Sequence, residues 1–196
     1  MSDRHELLAR ETIFILDKGT IDQATVRTVH GDGREHVISE PVWSDRDSIA
    51  VLPYDAETRT VLLVRQMRTA IFLRDKGMIL EACAGGIEAS DGSVEEACRR
   101  EAAEELGVTL GTLEQVAQVF INPSQMVEKA NLFLASYQSG QQHPEDRQQD
   151  EDEDIEVVEV SVDDLKNWLG QGTIRCPRLL MLSQFLLSRI SATSEM

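Results

Sequence analysis

The sequence predicts an α/β fold preceded by a small N-terminal antiparallel β subdomain, and three observations carry that expectation. Residues 11 to 52 hold short β-branched runs, TIFIL, QATVRTVH and REHVIS, with the hairpin signal HGDGRE between the last two. Two apolar runs, SIAVLPYD and TVLLVRQMR, then flank the polar turn DAETR, and both are apolar enough to lie centrally in a sheet. Beyond them, helical segments are interleaved with further strands, the pattern of a layered α/β domain.

In chain order, EACAGGIEASDG follows the paired strands, and its glycines and small polar residues argue against regular structure. A helix then opens at Ser93, with Glu96 three residues on completing a capping-box pattern, and Gly107 is placed to end it. QVAQVFIN and KANLFLASY read as strands. GQQHPEDRQQDEDED, residues 140 to 154, is too hydrophilic to pack and is expected as a mobile acidic loop. IEVVEVSV resumes β-structure, and VDDLKNWLGQG and PRLLMLSQFLLSRI finish the chain as two helices, the second opened by Pro177. The division this suggests is a β subdomain over 1–46 and a main domain over 47–196.

A chain of 196 residues, 41% hydrophobic, suits one globular domain or one domain with a small subdomain. Its 19 Lys and Arg stand against 35 Asp and Glu, a net charge of −16 that repels nucleic acid and anionic membrane at long range. Neither is expected as a partner. The opening MSDRHELLAR lacks the apolar run of a signal peptide, and VLLV and LLMLSQFLL are too short to span a bilayer, which points to a cytoplasmic protein. Cys83, Cys98 and Cys176 are odd in number and lack CxxC spacing, against both a disulfide framework and a zinc site. His5, His30, His36 and His143 are scattered and read as surface or hairpin residues.

The unusual stretch is RREAAEELGV, which sets Glu101, Glu104 and Glu105 on one helix with no basic residue facing them. On a helical wheel with Val94 at zero, Ala97 and Cys98 flank it and Glu101 and Glu105 fall within about 20° of it, so the apolar stripe turns acidic midway. Those carboxylates should point toward the interior or a cleft. The plainer alternative is a solvated acidic face on which Arg100 pairs with Glu104 four residues later. Crowded like charges cost roughly 0.2–0.5 kcal/mol per pair, and a divalent cation would offset that, since magnesium prefers hard oxygen ligands. Carboxylates on adjoining turns, beside a glycine-rich loop with free carbonyls, provide them.

GGIEASDGSVEEACRREAAEELGV resembles the signature box of the Nudix hydrolases: G, five residues, E, seven residues, then R-E-U-x-E-E-x-G-U, with U aliphatic. The second half matches from Arg100 through Glu101, Ala102, Ala103, Glu104, Glu105, Leu106 and Gly107 to Val108. The first half departs. Counted from Gly86, Gly92 stands where the family has glutamate; counted from Gly85, the loop is one residue too long. The family glutamate supports the loop, so this departure bears on loop rigidity more than on chemistry. The resemblance implies an α/β/α sandwich around a mixed sheet. It also implies Glu101 and Glu105 as the main metal ligands, Glu104 as a shared or water-mediated one, and a backbone carbonyl at Ala84 or Gly85 as a further one. Mg²⁺ would be the cofactor, with Mn²⁺ as the substitute, and Arg100 would orient the carboxylates.

Four features outside the box resemble the nucleoside diphosphate sugar pyrophosphatases, the ADP-ribose and GDP-mannose group. One is the N-terminal β-segment, which in that group is exchanged across a homodimer. LLVRQMR is another, with Arg68 where relatives contact the pyrophosphate. NPSQMVEKANLFLA resembles the group's SPG…E segment and would give Glu128 a substrate- or metal-facing role, with Ser124 in place of the glycine. The last is EDEDIEVVEV, in which Glu153 and Glu151 match catalytic glutamates.

The resemblance therefore implies Mg²⁺-dependent hydrolysis of a nucleoside diphosphate sugar to nucleoside monophosphate and sugar phosphate. GDP-mannose and ADP-ribose both fit, and EACAG resembles the GDP-mannose branch slightly more. Glu105 would join catalysis, and Glu153 or Glu151 would take the proton from water once the acidic loop closes. The alternatives are a non-catalytic nucleotide- or metal-binding module of the same family and a hydrolase acting on another dinucleotide or coenzyme. Arg65 and Arg68, three residues apart, should face opposite sides unless the strand ends first; the resemblance gives Arg68 to phosphate, and Arg65 reads as a surface or dimer contact. Trp43 and Phe14 are candidates to stack on a base, against the more general expectation that each is core.

Overall fold

The computed structural model describes residues 3–140, 142, 147 and 155–194. The chain forms two compact units, Met1–Asp47 with Phe120–Lys129, and Ser48–Val119 with Ala130–Met196.

The first unit is a three-stranded antiparallel meander of β1 (Arg4–Ile15), β2 (Thr20–Val29) and β3 (Glu35–Ser44). Strand β1 starts well ahead of TIFIL, because pairing from Arg4 opposite Val29 onward recruits a polar stretch that has little β propensity of its own. Asp22, buried in the sheet, accepts hydrogen bonds from Arg10, Thr12, Thr20 and Ser44. Those donors, the Thr12 hydroxyl foremost, hold its carboxyl well below the usual range. The 30–34 turn closes with the His30 N–H donating to the Arg34 carbonyl, and the His30 and His36 rings stack beside it. Segment 120–129 joins this unit along β3: the Trp43 N–H donates to the Gln125 carbonyl at 2.7 Å and the Val127 N–H to the Trp43 carbonyl at 2.9 Å. Trp43 and Phe14 are both exposed rather than core, as are Leu7, Leu8, Ile13, Ile15, Val37 and Ile38.

The second unit is built on a mixed sheet of β4 (Ser48–Asp55), β5 (Thr60–Gln66), β6 (Ile79–Glu81), β7 (Cys83–Gly86), β8 (Leu113–Phe120), β9 (Lys129–Ser136) and β10 (Glu156–Ser161). Its main path runs β10-β5-β4-β9-β8, with β4 and β9 parallel. The β4–β5 hairpin is paired only near its turn, at Tyr54 with Val61 and Asp55 with Thr60. Farther out the two strands take other partners, β6 along β5 and β7 along β4. Most of EACAGG is thus strand where composition argued for loop, since the opened hairpin offers one backbone edge to β6 and another to β7. Among the described residues four helices complete the unit: α1 (Thr69–Asp75), α2 (Val94–Glu101) running into a π-helical turn (Ala102–Leu106), α3 (Val162–Gln171) and α4 (Pro177–Ser194).

Strand alternation sorts the core into two layers. Ile49, Val51, Leu62, Val64, Phe133 and Ala135 pack with Ala97, Cys98, Ala102 and Leu106 of α2 and the π turn. The other face carries Ala50, Leu52, Val61, Leu63, Leu132 and Leu134, buried on the side of α3 and α4 with Leu165, Leu179 and Leu182. The result is an α/β/α sandwich. All three cysteines are free and buried. Among the described residues no helix is long and apolar enough to cross a membrane. The acidic stretch 140–154 lies outside the described residues except at Gly140, Gln142 and Arg147, and His143, Glu151 and Glu153 lie outside with it.

Candidate active site

The site grows from the junction of β7, the loop after it, and α2. Ser93 caps α2, its hydroxyl accepting the Glu96 N–H at 3.1 Å. The return bond of the capping box is displaced by one residue, because the Glu96 carboxylate accepts from the Gly92 N–H at 2.8 Å. The apolar stripe of Ala97, Cys98, Ala102 and Leu106 seats the helix on the sheet and carries the glutamates inward with it. From Ala102 the backbone widens into the π turn, which ends where Gly107 turns left-handed at φ 66°, a conformation that glycine adopts without strain. Such turns recur at functional sites, and this one was invisible to a wheel drawn at 100° per residue.

Glu105 is the innermost carboxylate, 7% exposed. Its Oε2 accepts the Ala84 N–H at 3.2 Å, from the edge of β7 that no strand covers among the described residues, and the Cys83 thiol donates to it as well. Burial, reinforced by the charge of Glu101, pushes Glu105 up to about 7; the Cys83 and Ala84 hydrogen bonds and the charge of Arg68 oppose the rise without cancelling it. Glu101 lies directly over Gly85: a β-carbon built there would fall 1.9 Å from Oε1. Glu104, on the outer turn, is the most exposed of the three.

The charge crowding is relieved by Arg100, in part through the pair with Glu104 that the four-residue spacing allowed. Arg100 donates through Nη1 to Glu101 at 2.9 Å and to Glu104 at 3.0 Å, so two of the three carboxylates do face a basic residue. The same guanidinium reaches back to the loop, where Nε and Nη2 each meet an oxygen of Asp91 at 3.0 Å and Nη2 meets the Gly86 carbonyl at 3.1 Å. With so many acceptors around it, Arg100 is held firmly in its charged form. Among the described residues, no three His, Cys, Asp or Glu side chains converge as a ready-made metal site. The donor chemistry nonetheless fits a hard divalent cation: Glu101 and Glu105 press on each other electrostatically, next to the backbone of Ala84 and Gly85 and with no side chain at residue 85 in the way.

Arg68 stands just past β5, half-exposed, its Nε donating to Glu81 Oε2 at 2.8 Å. It lies on the glutamate side, since its charge is felt by Glu105. Arg65 pairs across the sheet with Glu156 at 3.0 Å, and because β5 ends at Gln66 strand alternation does not reach Arg68. Glu128 is buried and belongs to the first unit. Sequence reasoning passed over Asp91, Glu81 and Cys83, whose partners Arg100, Arg68 and Glu105 are distant along the chain; only a count from Gly85, which lands on Asp91, hinted at one of them.

A capped helix thus sets Glu105, buried, and Glu101, partly buried, against the glycine-backed strand β7. Residues 44–176 match the NUDIX domain, and the chain belongs to that family. It is a Nudix pyrophosphohydrolase. It is 32% identical to the GDP-mannose pyrophosphatase of Cronobacter sakazakii over 178 residues, 90% of this chain and 89% of that one. A GDP-mannose pyrophosphatase from Escherichia coli is 29% identical over 182 residues, 91% of this chain and 93% of the relative. The crystal structure of an ADP compounds hydrolase superposes with a TM-score of 0.77, covering 100% of this chain and 99% of the other at 19% identity, a likeness of fold.

Proposed function

We propose that this protein hydrolyses the pyrophosphate bond of a nucleoside diphosphate sugar, GDP-mannose foremost and ADP-ribose next, with Mg²⁺, giving a nucleoside monophosphate and a sugar phosphate. The observation that carries the reading is the Glu101–Glu105 pair set against Ala84 and Gly85; relatives aligned over nine-tenths of the chain, named GDP-mannose pyrophosphatases, support the substrate class. Glu101 and Glu105, with Glu104 as a shared or water-bridged ligand and a carbonyl of Ala84 or Gly85, would hold the metal. When bound, the cation neutralises phosphate charge and makes a bound water acidic. Arg68 binds the pyrophosphate, and Glu128 contacts the substrate. Glu153 or Glu151 accepts the proton of the attacking water, the step that lets water cleave an anhydride near neutral pH. Arg100 keeps Glu101 and Glu104 oriented.

In the same reading, residues 1–46 form a β subdomain through which two copies pair, residues 47–196 form the catalytic domain, and the enzyme works in the cytoplasm. The apolar side chains left exposed on β1 and β3, Leu7, Ile13, Phe14, Ile15 and Val37 among them, support a homodimer contact. The test is chromatographic detection of nucleoside monophosphate from a panel of nucleotide sugars and dinucleotides, with Mg²⁺ or with EDTA. GDP-mannose turnover that EDTA abolishes is the expected result. Preferred cleavage of another dinucleotide, or no cleavage of any nucleotide sugar in the panel, would overturn the substrate assignment.

A further inference from the structure

We propose that Asp91 is a positioning residue for the metal-ligating carboxylates, supplying from one residue earlier in the chain the loop anchor that Gly92 lacks; this rests on the reading that Glu101 and Glu105 hold a cation. Asp91 is only 5% exposed and both of its oxygens are committed. Oδ1 accepts from Arg100 Nε at 3.0 Å; Oδ2 accepts from Arg100 Nη2 at 3.0 Å and from the Glu88 N–H at 2.7 Å. The Asp91 N–H in turn donates to the Glu88 carbonyl at 3.1 Å, so side chain and backbone together close the 88–91 turn. Both carboxylate oxygens are turned to Arg100 and the 88–91 turn. What Asp91 does is fix the plane of the guanidinium, and a planar five-donor group gripped on one edge has its remaining donors aimed. Those remaining donors are the ones on Glu101, Glu104 and the Gly86 carbonyl. The loop, Asp91, Arg100 and Glu101 therefore form one continuous strut, and loop rigidity does not need a glutamate at position 92.

Position 92 itself offers the means of testing this. Gly92 does not have a left-handed φ, and the atoms nearest a β-carbon there are those of the Glu96 carboxylate, the closest 2.7 Å away at the far end of a flexible side chain. A glutamate at 92 is therefore admissible once Glu96 swings aside. The experiment compares the full-length protein with the variants Asp91→Ala, Asp91→Asn and Asp91→Ala/Gly92→Glu, reading Mn²⁺ affinity by the electron paramagnetic resonance of free Mn²⁺ alongside thermal melting and the Mg²⁺ dependence of turnover. Removing the anchor is expected to weaken Mn²⁺ binding roughly 10–100-fold in both single variants, the range found when partners of metal ligands are removed, with the asparagine variant serving should the alanine variant not fold. Relocating the carboxylate to position 92 is expected to bring Mn²⁺ affinity back to within a few-fold of wild type. Wild-type Mn²⁺ affinity in a folded single variant, or no recovery in a folded double variant, would overturn the proposal. A wild-type protein that binds Mn²⁺ but cleaves no nucleotide sugar would sink the proposed function alone, leaving Asp91 to be judged on metal binding.

Discussion

The Glu101 carboxylate fills the space that a side chain on residue 85 would occupy, its carboxyl carbon 2.1 Å from the β-carbon position of Gly85. The strand thus withholds one methyl group so that a charged group can sit against the backbone. Gly85→Ala is expected to push Glu101 off the strand while leaving the core untouched, since the atoms displaced are the end of a flexible side chain. Turnover should fall by roughly 10–100-fold with weaker Mg²⁺ dependence, as when the surroundings of a metal ligand are disturbed. Melting should shift by only a few degrees. Initial rates across a Mg²⁺ titration check this, and a variant with an unchanged Mg²⁺ optimum would remove Glu101 from the metal site.

Arg68 and Arg65 provide an internal control, being close in sequence and separate in space. Loss of Arg68 is expected to raise KM for the nucleotide sugar about 10–100-fold, matching the roughly 1.5–3 kcal/mol of a hydrogen bond to a charged group. Arg65→Ala should leave KM near wild type, because its partner Glu156 is exposed and such surface pairs are worth about 0–1 kcal/mol. Equal effects from the two substitutions would mean that the phosphate is bound elsewhere.

Much of this site was legible because its signals are local. Ser93 and Gly107 bracket the helix by cap chemistry that operates within a few residues, and the stripe from Val94 to Leu106 places Glu101 and Glu105 inward whatever the rest of the chain does. Strands β4 and β5 announced themselves by runs of buried aliphatics. Strands β6 and β7 did not, because their order comes from edges opened by the β4–β5 hairpin, a tertiary fact. The Arg100 hub was half legible for the same reason: Glu104 is one helical turn away, whereas Asp91 arrives only when the loop closes. The π turn follows from no residue preference and had no signal at all.

Glu105→Gln is expected to abolish turnover with the fold intact. The amide oxygen can still accept the Ala84 N–H, so the buried hydrogen bond survives while the negative charge is lost. A loss of roughly 10²–10³-fold or more is the scale associated with removing one preorganised electrostatic partner of a reacting group. Near-normal activity in a folded Gln variant would contradict the metal role outright. Circular dichroism and melting, run beside the assay, separate a chemical defect from misfolding.

The same carboxylate makes metal-free stability depend on pH, with a definite sign. Glu105 is pushed from 4.5 up to about 7, chiefly by burial, so the folded state holds its proton more tightly than the unfolded state does. Its contribution is therefore fully present below about 4.5 and is lost as pH rises through about 7, the reverse of an ion-paired carboxylate. That interval corresponds to about 3 kcal/mol, or roughly 6–12 °C of melting temperature in a chain of this size. In EDTA, the wild-type protein should lose this much stability relative to Glu105→Gln between pH 4.5 and pH 8. Mg²⁺ binds only the deprotonated carboxylate, so adding it should restore stability at pH 8 and do little at pH 5. Wild-type and variant melting curves that run parallel across the whole pH range in EDTA would show that Glu105 is not the strained group, and that the charge waiting for a cation lies elsewhere.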